Sequence, residues 1–134
     1  MIQCAFTLET AQFEAATPQE GSTNSRCFGE DFARWLKAQL QREGVVTSEP
    51  IQEDWGWALV VPFRGHRFTL SIGVMDASMG KTPSEWRVGV SYERGLNGVR
   101  AWFRTAPAAE LSALGQHLGQ TLRSNARIEG LAAE

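Results

Sequence analysis

A chain of 134 residues, 43% apolar and 21% charged, has the length and composition of one ordinary globular domain, expected to run over 1–134. Thirteen Lys and Arg against fifteen Asp and Glu give a formal net charge of −2, which argues against a nucleic-acid binder working through a concentrated basic face. No apolar run approaches the ~18 residues of a membrane span. The N-terminus lacks the basic start and long apolar middle of a secretory signal, so the expected location is the cytoplasm.

In chain order, Ile2, Cys4, Phe6 and Leu8 alternate with their neighbours at the period of a half-buried strand. Residues 14–26 are polar and contain Thr17-Pro18 and Gly21-Ser22-Thr23-Asn24-Ser25, which reads as a flexible loop. Phe28, Phe32, Trp35, Leu36 and Leu40 then recur at helical spacing, predicting a helix to about Glu43. Glu30 and Asp31 suit its first turns and Gly44 its end. Residues 45–51 read as a short extended piece ended by Pro50.

Alternation returns three times. Trp55, Trp57, Leu59, Val61 and Phe63 form one stripe, Phe68, Leu70, Ile72 and Val74 a second, and Trp86, Val88, Val90 and Tyr92 a third. Arg64-Gly65 between the first two predicts a tight hairpin. Residues 76–84 form another loop. Gly95-Leu96-Asn97-Gly98 predicts a turn into a further strand over 99–104. A second helix is expected over 107–123, with Leu111, Leu114, Leu118 and Leu122 as its buried stripe. Gly115 and Gly119 cost that helix about 1 kcal/mol each against Ala, and make sense if its backbone lies close to the sheet.

This order predicts an α+β fold: an antiparallel sheet of about five strands with two helices on one face, in the sequence β-α-β-β-β-β-α. The other face of the sheet would carry Gly56, Ala58, Val60, Thr69, Ser71, Gly73, Arg87, Gly89 and Ser91. Most are small, which lets a partner approach the backbone.

The chemistry-bearing residues are sparse. Cys4 and Cys27 are the only cysteines, and His66 and His117 the only histidines. Their spacing fits no zinc pattern, so neither metal nor cofactor is expected. Cys27 precedes a helix start, where the dipole favours a thiolate. Met79-Gly80-Lys81-Thr82 lacks a glycine at position 75 and is followed by Pro83, so it is no phosphate loop. Two docking readings remain. Trp102 between Arg100 and Arg104, together with Arg87, is a candidate surface for another protein or a second copy of this chain. Glu53 and Asp54 ahead of Trp55-Gly56-Trp57, with Asp76 in the 76–84 loop, are the alternative, a small-molecule or enzyme site.

The run Gly29-Glu30-Asp31-Phe32-Ala33-Arg34-Trp35-Leu36, followed by Ser48-Glu49-Pro50-Ile51-Gln52-Glu53-Asp54-Trp55-Gly56-Trp57, resembles a group of small bacterial proteins of no established activity. These share an N-terminal strand, a Trp-Leu helix and a strand opening on Glu-Asp-Trp-Gly-Trp. The resemblance covers roughly residues 26–74. It implies a stand-alone bacterial α+β domain and transfers no catalytic residue. The functional expectation is therefore a non-enzymatic binding module, docking a partner through the small-residue face or a sheet edge.

Overall fold

The computed structural model describes residues 2–15, 28–92 and 107–134. They form strand β1 (Ile2–Thr10), helix α1 (Glu30–Arg42), strands β2 (Ile51–Glu53), β3 (Gly56–Phe63), β4 (His66–Val74) and β5 (Ser84–Tyr92), helix α2 (Ala108–Arg123) and strand β6 (Ile128–Ala133). The six strands make one antiparallel sheet in the order β2-β3-β4-β5-β1-β6. The α+β class and the two helices match the sequence reading; the sheet is wider. The turn at 95–98, the strand expected over 99–104, Cys27 and the loop residues 16–26 lie outside the described residues.

The apolar stripes meet as the alternation requires. Leu8, Trp57, Leu59, Val61, Phe68, Leu70, Ile72, Trp86, Val88 and Val90 all turn to one face and are buried there under Phe32, Leu36 and Leu40 of α1 and Leu111, Leu114, Leu118 and Leu122 of α2. Each such side chain contributes roughly 1.5–3 kcal/mol through burial. Phe13, just past β1, joins them by stacking on Phe32 with ring centroids 4.1 Å apart.

Helix α1 begins two residues later than its apolar period, after Gly29, and Asp31 at its first turn accepts a hydrogen bond from the Glu14 N–H at 2.8 Å. At its other end Val45 N–H bonds to Leu40 O at 2.8 Å and Gly44 N–H to Gln41 O at 3.1 Å. With Gly44 at φ 84, this is a Schellman cap, which satisfies carbonyls the helix leaves unpaired. The two glycines of α2 do what their propensity penalty suggested. A β-carbon on Gly115 would lie 2.8 Å from Cys4 Sγ, and one on Gly119 would lie 3.0 Å from Phe6 Cζ. The helix therefore rests directly on β1, and Cys4 is only partly buried beneath it. The helices are also joined to each other, Thr121 Oγ1 donating to Glu43 Oε2 at 2.8 Å.

Two sequence expectations are corrected. Trp55 does not belong to the buried stripe. Glu53 pairs with Gly56 across the β2–β3 ladder, so Asp54 and Trp55 are the two central residues of a tight turn and Trp55 is 54% exposed. The chain reverses just where the alternation read straight through. The second correction is β6, which was not foreseen. It adds to the outer edge of β1 with a register shift between Thr7 and Glu9.

Candidate functional site

The face of the sheet away from the helices is built in rows. Ile51, Ala58, Ser71, Gly89 and Ala5 follow one another across five strands. Val60, Thr69 and Ser91 form a neighbouring row. This is the small-residue face expected from the alternation. Gly89 is held to that size, since a β-carbon there would stand 3.3 Å from the Ala5 side chain.

Arg87 stands on this face, opposite Gly73 on one side and Thr7 on the other. Its Nε donates to both carboxylate oxygens of Glu134 at 3.1 and 3.0 Å, and Nη2 lies 2.9 Å from Oε2. The guanidinium thus spends its fork on an intramolecular carboxylate. Trp102, Arg100 and Arg104, expected beside it, lie outside the described residues.

The β2 edge has a different character. β2 pairs with β3 on one side, and the preceding segment is tied to β3 by Ser48 N–H to Val60 O at 2.8 Å and Val60 N–H to Ser48 Oγ at 2.9 Å. Along this margin Val46 is 67% exposed and Ile51 42% exposed, and Trp55 follows at the turn. The turn is fixed from below. A β-carbon on Gly73 would be 3.2 Å from Trp55 O, and one on Gly56 would strike Ile72 O. Glycine at both positions lets the β2–β3 turn sit down on the end of β4, with Trp55 at the tip of that turn.

Charge on this margin is acidic. Glu49, Glu53 and Asp54 are exposed, and Arg34 of α1 reaches Glu49. Arg34 is already shared, with Nη2 3.0 Å from Glu30 and Nη1 3.3 Å from Glu49. The Glu30 hydrogen bond, more than the Glu49 one, holds the guanidinium above the ordinary arginine value. Asp76 opens a one-turn 3-10 helix over Asp76–Ser78 just past β4. Because β3 begins where β4 ends, its backbone lies at the same end of the sheet as Glu53 and Asp54. The topology thus brings the three acids of the small-molecule reading to one end, with Glu53 and Asp54 on an exposed turn.

The remaining chemistry-bearing groups have structural surroundings. His66, next to the Arg64-Gly65 turn, packs edge-on to Tyr92 with centroids 6.0 Å apart. Among the described residues no group of three His, Cys, Asp or Glu side chains is placed to hold a metal ion, and no helix is long and apolar enough to cross a membrane. Sequence reasoning passed over Val46, Ile51 and the exposed Trp55. The available signal was Asp54 before Trp55 and Gly56 after it, turn-forming residues set inside an otherwise strand-like run. Compared with known proteins, the chain matches no family model, no curated protein and no solved structure.

Proposed function

We propose that this chain is a bacterial, non-enzymatic protein-binding module of the immunity or adaptor kind, which captures an extended, basic segment of its partner along the β2 edge. The observation that carries the reading is the gathering of Val46, Ile51 and Trp55 on that edge, three of the four exposed large hydrophobics among the described residues. An edge strand offers backbone donors and acceptors to an added strand. A projecting Trp supplies the kind of anchor on which interface energy concentrates. Glu49 and Asp54, exposed on the same margin, favour Lys or Arg in the segment that docks, and a cation over the Trp55 ring adds to that preference.

The same charges disfavour a second copy of this chain as the occupant. Two β2 edges placed side by side would set these carboxylates against their own equivalents, a juxtaposition that costs stability.

A panel of extended synthetic peptides differing in Lys and Arg content tests the reading. Basic members should bind and acidic ones should not. Trp55→Ala combined with Ile51→Asp should weaken binding by about 30-fold, the scale of losing a central aromatic anchor, with the thermal midpoint unchanged. Equal binding of acidic and basic peptides, or indifference to the double substitution, would refute it. So would a dimeric mass by light scattering that the double substitution converts to monomer.

A further inference from the structure

A pocket of about 230 Å³ lies between α2 and β1, walled by Ser112, Gln116 and Arg123 and floored by Cys4 and Phe6. It runs alongside the line where Gly115 and Gly119 bring α2 down onto β1. Its polar group of consequence is Arg123. The Nη1 atom stands 3.3 Å from the point a β-carbon of Gly119 would occupy, and Phe6 Cζ stands 3.0 Å from that same point. Arg123 is an exposed residue, and its guanidinium lies back along the helix with one nitrogen toward the Phe6 ring at the mouth of the pocket. Among the described residues no carboxylate forms an ion pair with it. A cation laid against apolar surface with its fork unspent is matched to a planar anion, which a guanidinium grips with two parallel hydrogen bonds.

We propose that this pocket binds a small organic carboxylate, the anion on Arg123 and the apolar body against Phe6 and Cys4. The volume corresponds to about eight water molecules at the liquid's share of space, which suits a carboxylic acid with a single ring or short aliphatic body. Ser112 and Gln116, both exposed at the rim, supply further hydrogen bonds to the ligand's polar end. The site lies on α2 and β1, apart from the β2 edge, so it stands or falls independently of the peptide reading.

Benzoate is a suitable probe, with benzyl alcohol as its neutral counterpart. In proton–nitrogen correlation spectra of the full chain, benzoate should shift the Gly115 and Gly119 amides saturably. Benzyl alcohol should bind about tenfold more weakly or worse, having lost the charge-assisted pair. Arg123→Gln should weaken benzoate to the same extent, and Gln116→Trp should close the mouth and abolish binding. Arg127→Gln, a charge change outside the pocket, should leave binding as it was. In a Cys27→Ser background, benzoate should also slow alkylation of Cys4 by iodoacetamide. The proposal is overturned if benzoate produces no saturable shift up to its solubility. It is overturned equally if benzyl alcohol or the Arg123→Gln protein binds as well as the parent pair.

Discussion

A β-carbon on Gly56 would lie 2.2 Å from the carbonyl oxygen of Ile72. The atom in the way is backbone of the neighbouring strand, so no side-chain rotation relieves the contact. Gly56→Ala must push β3 off β4 and is expected to cost about 3 kcal/mol, the upper range for overpacking. Gly44→Ala meets nothing within 4 Å but keeps a φ of 84, and should cost only about 1 kcal/mol. Urea denaturation of the two variants checks the order. Equal losses would mean that the clash at Ile72 is not what selects glycine.

Glu9 is paired in register with Glu85 on β5 and with Glu129 on β6. Like charges directly opposite one another destabilise a sheet. Replacing the central member by Gln should therefore stabilise the fold by about 0.5 kcal/mol, and by Lys about 1 kcal/mol. The gain should shrink in high salt, where exposed charges are screened. Denaturation at low and high ionic strength measures both effects, and a salt-independent gain would point to a cause other than charge.

Trp86 is fully buried, and its indole N–H donates to Ser84 Oγ at 3.1 Å. Ser84 is itself buried. Ser84→Ala leaves the indole donor without its acceptor in a dry site and is expected to cost about 2 kcal/mol. Exchanging Ser84→Ala and Trp86→Phe together removes both partners. The double variant should be less destabilised than the sum of the single ones, which a double-mutant cycle reads directly.

The Arg87–Glu134 pair joins the small-residue face to the residue following β6, and Glu134 N–H also bonds to Ala5 O at 2.9 Å. Both side chains are partly exposed, so Glu134→Gln should cost global stability only about 0.5 kcal/mol. Its effect should be local. Amides of β6 should exchange with deuterium faster while those of β4 and β5 keep their protection. Uniform acceleration across the sheet would contradict this.

The candidate edge illustrates where sequence reading stops. Trp55, Trp57, Leu59, Val61 and Phe63 share a period of two, and period alone assigns Trp55 inward. What places it outward is the two-residue turn, whose position depends on Gly56 and Gly73 being able to pass close to neighbouring backbone. That is a relation between strands, and a local pattern cannot carry it. Conversely, Arg64-Gly65 was legible because its turn is a local matter. Arg64 and Gly65 adopt φ 50 and 82, as a two-residue hairpin with right-handed strand twist requires.

By itself the sequence determined the stripes, the two helices and the side of the sheet they cover, because periodicity and capping act over a few residues at short range. Tertiary structure alone decided β6. Ile128-Glu129-Gly130-Leu131-Ala132-Ala133 has little strand propensity, with a glycine at φ 61 and two alanines. It becomes a strand because β1 offers it an open edge and long-range bonds steer it there. Thr10 Oγ1 donates to Arg127 O at 2.8 Å, and Asn125 Nδ2 donates to Gln12 Oε1 at 2.6 Å. Tertiary structure likewise decided that Arg123 lies in a pocket, since Phe6 stands more than a hundred residues away along the chain and meets it only once α2 rests on β1.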